Sequence, residues 1–155
     1  MKQGFVKVAS ATPRIRVADP VYNAQVICEQ AKEAAEHGAK IVVFPELCIT
    51  GYTCNDLFLQ ELLLEKAKEA LLTIAEETGQ LETLFLVGLP VDKDGRLYNV
   101  AAVLYRGRIL GMIPKKNIPM YAEFYEGRHF TPGEETVTEY RLGKQVIPFG
   151  SNLLF

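Results

Sequence analysis

Proline cannot donate to a β-ladder, so the run Ile41-Val42-Val43-Phe44-Pro45-Glu46 reads as a buried strand that stops at Pro45. A strand this apolar has no wet face and calls for a sheet covered on both sides. The exit leaves Glu46 at the mouth of the strand among Phe44, Leu47 and Ile49. A carboxylate there is costly to ionise without a partner, which is a setting in which general bases are found. A surface glutamate that merely follows a proline is the other reading, and these residues alone leave both open.

The flanking pattern sets the fold class. Phe5–Ala9 alternates as a first strand, Asp19-Pro20 supplies a cap and a first-turn proline, and Ile27, Ala31, Ala34 and Ala35 recur at helical spacing up to Gly38. Beyond the Ile41–Phe44 strand, Asn55-Asp56 reads as the cap of a second helix running to about Glu77, with Leu63, Ala67, Ala70, Leu71, Ile74 and Ala75 as its apolar stripe. Thr83–Gly88 is a nearly continuous apolar run. Asp94-Gly95 is a hairpin signal between Pro90-Val91 and Leu97–Tyr105, and Arg106-Gly107 turns the chain into Arg108–Met112. Asp92-Lys93-Asp94-Gly95 also has the start of a calcium loop, but the later glutamate ligand is missing and the hairpin accounts for it. Thr136–Tyr140 and Gln145–Phe149 read as two further strands. Strand-helix units followed by consecutive hairpins give an α/β fold with a mixed sheet and two helices on one face. The other face then lacks a cover, so a further part of the chain or self-association is expected to supply it.

Composition narrows the partners. The 155 residues fit one domain, and a net charge of -2 with lysines and arginines scattered along the chain gives no basic stripe for nucleic acid. Met1–Phe5 runs into a strand without the apolar stretch of a signal peptide, so neither a membrane nor export is expected and the cytoplasm is the default. Cys28, Cys48 and Cys54 are odd in number and have no Cys-x-x-Cys spacing, which argues for free thiols rather than a disulfide or a metal site. His37 and His129 stand apart from any second ligand and are read as structural.

From Pro114 to Phe130, prolines, aromatics and charges alternate without a period, the mark of a site-forming loop. It carries Lys115 and Glu123. A lysine held between carboxylates keeps its charge and can stabilise an oxyanion while a glutamate moves protons. Solvated surface groups are the competing reading for both.

Val43-Phe44-Pro45-Glu46-Leu47 with Thr50-Gly51-Tyr52, then Asp56-Leu57-Phe58, Gly107–Gly111, Pro114-Lys115, Ile118-Pro119, and Tyr121 with Glu123-Phe124-Tyr125-Glu126 form an ordered set. The set resembles the nitrilase (carbon-nitrogen hydrolase) superfamily, and more narrowly the amino-terminal glutaminase domains of glutamine-dependent NAD synthetases. The resemblance implies an α-β-β-α sandwich, incomplete in residues 1–155, and a Glu-Lys-Cys triad that hydrolyses glutamine so that ammonia reaches a synthetase domain of the same parent chain. By the same resemblance Glu46 is the general base, Lys115 the triad lysine, Glu123 the further glutamate beside it, and Tyr52, Tyr121 and Phe124 are substrate contacts. No cofactor is implied for this domain, whereas ATP and magnesium are implied for the synthetase domain. The family nucleophile falls beyond Phe155, so residues 1–155 alone are expected to be inactive, and Leu153-Leu154-Phe155 looks like an interrupted chain. Two other readings stay in view: a free-standing amidase acting on another amide, and a non-catalytic binding or interaction module.

Overall fold

The computed structural model describes residues 4–155; the part of the signal-peptide reading that falls on Met1–Gln3 lies outside the described residues. Seven strands form one mixed sheet: β1 (Val8–Ser10), β2 (Ile41–Val43), β3 (Leu84–Lys93), β4 (Arg96–Tyr105), β5 (Arg108–Pro114), β6 (Thr138–Leu142) and β7 (Gln145–Phe149), in the order β1-β2-β3-β4-β5-β7-β6. The first three run parallel to one another, β3-β4-β5 is an antiparallel meander, β5 meets β7 in parallel, and β6-β7 is a hairpin.

Helices α1 (Pro20–Glu36) and α2 (Glu61–Glu77) make the parallel crossovers. The Asp19 side chain accepts the Tyr22 N–H at 3.1 Å and Pro20 opens α1, as their types require. The expected cap of α2 is corrected: Asn55–Leu59 forms a separate 3-10 turn, and Gln60, extended at φ -88 and ψ 121, separates it from the helix. A periodic apolar pattern does not register a single extended residue between two helical turns.

Both helices cover the same face. Ile27 and Ala31 of α1 and Ala67, Leu71 and Ile74 of α2, all at 0% exposure, pack with Val42, Phe85, Val87, Leu89, Val100, Ala102, Met112 and Ile147 in one core. Strand side chains alternate, so Val8, Val43, Leu86, Ala101, Ile113 and Val146 face the other way. There Val8, Val43 and Val146 are 63%, 44% and 55% exposed. The fold thus contributes one helical layer and one sheet layer of the expected sandwich. Near the end of the chain, the rings and methyls of Phe155 and Leu153 lie against Gly111 of β5, without forming a strand.

Candidate active site

The chain leaves β2 in a turn that presses onto β3. A Cβ on Gly88 would meet the Leu47 amide nitrogen and come within 2.7 Å of the Pro45 carbonyl, so only glycine permits this approach. The turn is held by Phe44 N–H to Leu86 O at 2.9 Å and Ile49 N–H to Gly88 O at 3.1 Å. Asn23 of α1, fully buried, adds a bond from its amide to Ile49 O at 2.9 Å. Leu47 sits at φ 52, the left-handed bend that turns Phe44, Leu47 and Ile49 into the interior and Glu46 outward. Glu46 is therefore not enclosed by those apolar neighbours. Its side chain is 41% exposed and meets polar and charged partners instead.

Those partners come from β4 and the end of β5. Lys115 follows Pro114, its N–H donating to Asn99 O at 2.7 Å and its carbonyl accepting from Gly133 N–H at 2.8 Å. Its ammonium donates to Glu46 Oε1 at 2.7 Å and to both oxygens of Glu126, at 2.9 and 3.0 Å. Partial burial works against the Lys115 charge, but the bonds to Glu46 and Glu126 outweigh it and raise its pKa above the ordinary lysine value. Asn99, 3% exposed, donates its side-chain amide to the same Glu46 oxygen. Tyr52 donates its hydroxyl to Glu126 Oε1 at 2.7 Å, and desolvation together with that carboxylate pushes the phenol well up. Lys116 points elsewhere, to Glu135.

Glu46, Lys115 and Tyr52 are thus brought together: Lys115 bridges Glu46 and Glu126, and Tyr52 reaches Glu126. The carboxylate beside the lysine is Glu126, whose side chain is 5% exposed, and not the sequence-expected Glu123. Glu123 is exposed on a cavity of about 150 Å³ that Tyr52, Phe58, Tyr125 and Glu126 also line. The 3-10 turn Glu126–Arg128 explains the exchange, since it turns Glu126 inward. Tyr121, 69% exposed, and Phe124 pack against each other with ring centroids 5.5 Å apart on the outer part of that loop. Asn99 was missed, although an asparagine inside the apolar Leu97–Tyr105 strand must find a buried partner and so announces itself.

Glu46, Asn99 and Lys115 border a cleft of about 380 Å³ on the open face of the sheet, floored by Leu86, Ala101 and Ile113. No cysteine of the chain lines it. Cys28, Cys48 and Cys54 are free and buried, and desolvation pushes the thiols of Cys28 and Cys48 up to about 11, the reverse of nucleophile activation. Among the described residues no group of three His, Cys, Asp or Glu side chains could hold a metal ion, and no helix is long and apolar enough to cross a membrane.

Residues 7–151 match the carbon-nitrogen hydrolase family. The chain is 39% identical over 154 residues to a glutamine-dependent NAD(+) synthetase of Mycobacterium bovis, covering 99% of this chain and 23% of that protein. It superposes with a TM-score of 0.88 and 29% identity on a glutamine-dependent NAD(+) synthetase from Cytophaga hutchinsonii, over 94% of this chain and 25% of that one. An amidase from a Nesterenkonia species shares the fold at a TM-score of 0.71 and 23% identity, over 93% of this chain and 56% of that one. The chain spans about a quarter of the synthetases it matches. It belongs to the carbon-nitrogen hydrolase family.

Proposed function

We propose that residues 1–155 supply the acid-base half of a glutamine-hydrolysing site whose thiol comes from outside them, and that the ammonia released serves an ATP- and magnesium-dependent NAD synthetase unit of the same parent chain. The observation that carries this reading is the Lys115 ammonium held between Glu46 and the buried Glu126 at the edge of an apolar cleft. A cysteine thiol entering the cleft gives its proton to Glu46 as its sulfur attacks the glutamine carboxamide carbon. Lys115 donates to the oxyanion of the tetrahedral intermediate. The C–N bond breaks and Glu46 passes its proton to the departing ammonia, leaving a thioester. Water then adds to that thioester, again giving a proton to Glu46, and glutamate leaves as the thiol is restored. Glu126 and Tyr52 hold Lys115 in place, while Tyr121, Glu123 and Phe124 lie on the loop where the amino-acid end of the substrate would rest.

Ammonia release from glutamine tests this. Residues 1–155 alone are expected to release none, and a polypeptide joining them to a thiol-bearing segment is expected to hydrolyse glutamine and accumulate a glutamyl thioester visible by mass spectrometry. Turnover by residues 1–155 alone would overturn the external thiol, and hydrolysis of simple amides in preference to glutamine would overturn the substrate.

A further inference from the structure

Between β5 and β6 the chain has no regular structure apart from the 3-10 turn Glu126–Arg128, yet that turn must hold a buried carboxylate in register with Lys115. What anchors it lies just past Glu126. Asp56, on the 3-10 turn that follows the β2 loop, accepts Arg128 Nε on Oδ1 and Nη2 on Oδ2, both at 2.9 Å, and its Oδ1 is 3.1 Å from His129 Nε2. Phe58 of the same turn meets the His129 and Phe130 rings edge-on, with centroids 5.8 and 5.0 Å away. Tyr52, a few residues earlier, is the second link, reaching Glu126 itself.

We infer that Asp56 is a positioning residue, which clamps Arg128 and His129 and thereby holds Glu126, and through it the Lys115 ammonium, beside Glu46. A two-oxygen arginine pair fixes direction as well as distance. The Arg128 and Asp56 side chains are 56% and 61% exposed, where an ion pair adds little to stability, so orientation is what it has to offer. Asp56 touches none of the groups assigned to the chemistry. Its importance for catalysis rests on the glutaminase reading, whereas its hold on Lys115 does not.

Trace acetylation of the 155-residue chain with acetic anhydride, read at each lysine by mass spectrometry, reports on Lys115 directly. Lys66, on the exposed side of α2, serves as the reference. In the wild-type chain Lys115 is expected to label more slowly than Lys66, because its two carboxylates keep it protonated. Glu126→Gln sets the rate with the buried carboxylate partner gone. Asp56→Asn is expected to approach that rate, raising Lys115 labelling roughly fivefold relative to Lys66. Arg128→Lys, which keeps the charge and loses the fork, is expected to shift it in the same direction. A Lys115 rate in folded Asp56→Asn within about twofold of wild type would overturn the proposal. If Asp56→Asn labels uniformly fast because it has unfolded, Arg128→Lys decides, and unfolding of both variants would assign the clamp to stability and overturn the proposal as well. Labelling reads the amine alone, so a protein that never hydrolyses glutamine would still give the expected pattern if the clamp holds.

Discussion

Lys115 is the residue on which the site turns, because one ammonium satisfies an exposed and a buried carboxylate at once. Lys115→Met leaves Glu126 in its buried position without a cation and is expected to cost about 1–3 kcal/mol, measured by urea denaturation, with Glu126→Leu in the same chain recovering most of the loss. The buried cysteines carry a pH signature. A thiol pushed up from 9.0 to about 11 keeps its proton in the folded chain when the unfolded one has begun to lose it, so Cys28 and Cys48 add stability that is fully present below pH 9 and lost as the pH rises towards 11. The urea midpoint is expected to fall across that window, and the fall to shrink in Cys48→Ala compared at the same pH values. Native protein at pH 8 is expected to resist alkylation at both positions. Glu46 and Lys115 were legible because each follows a proline at the end of a strand. Glu126 was harder to single out, since Glu123 and Glu126 are both glutamates among aromatics and only the 3-10 turn decides which one faces inward.

At the scale of elements, turn chemistry was the most readable signal. Asp94-Gly95 and Arg106-Gly107 both adopt paired positive φ, at 51 and 73 and at 49 and 75, the geometry that closes two-residue hairpins. The helix stripes were equally plain, and Leu71→Ala at a fully buried position of α2 is expected to destabilise the chain by about 2–5 kcal/mol in chemical denaturation. What no periodicity could show is the contact between elements at Gly88. There Gly88→Ala drives a methyl into the backbone of the Pro45–Leu47 turn, with an expected cost of about 1–3 kcal/mol and a displaced Glu46. The break at Gln60 was hidden for a related reason: it is a change of backbone direction without a glycine or proline to mark it.

At the scale of the whole molecule, the seven-stranded sheet has its helices on one face and its candidate chemistry on the edge of the other. The α/β class and the uncovered face followed from strands apolar on both sides, but the strand order did not, because the pairing of β5 with β7 joins segments separated by the long irregular loop. Glu46 from the parallel half and Lys115 from the antiparallel half meet only because β2, β3, β4 and β5 are neighbours in that order. The claim that this meeting makes an amide-hydrolysing site is tested most directly by glutamine hydrolysis in a polypeptide carrying residues 1–155 with a thiol-bearing segment, comparing wild type and Glu46→Gln. Loss of a general base predicts a fall in kcat of about 10²–10⁴-fold with the fold intact; a Glu46→Gln protein that turns over within about threefold of wild type would contradict the assignment.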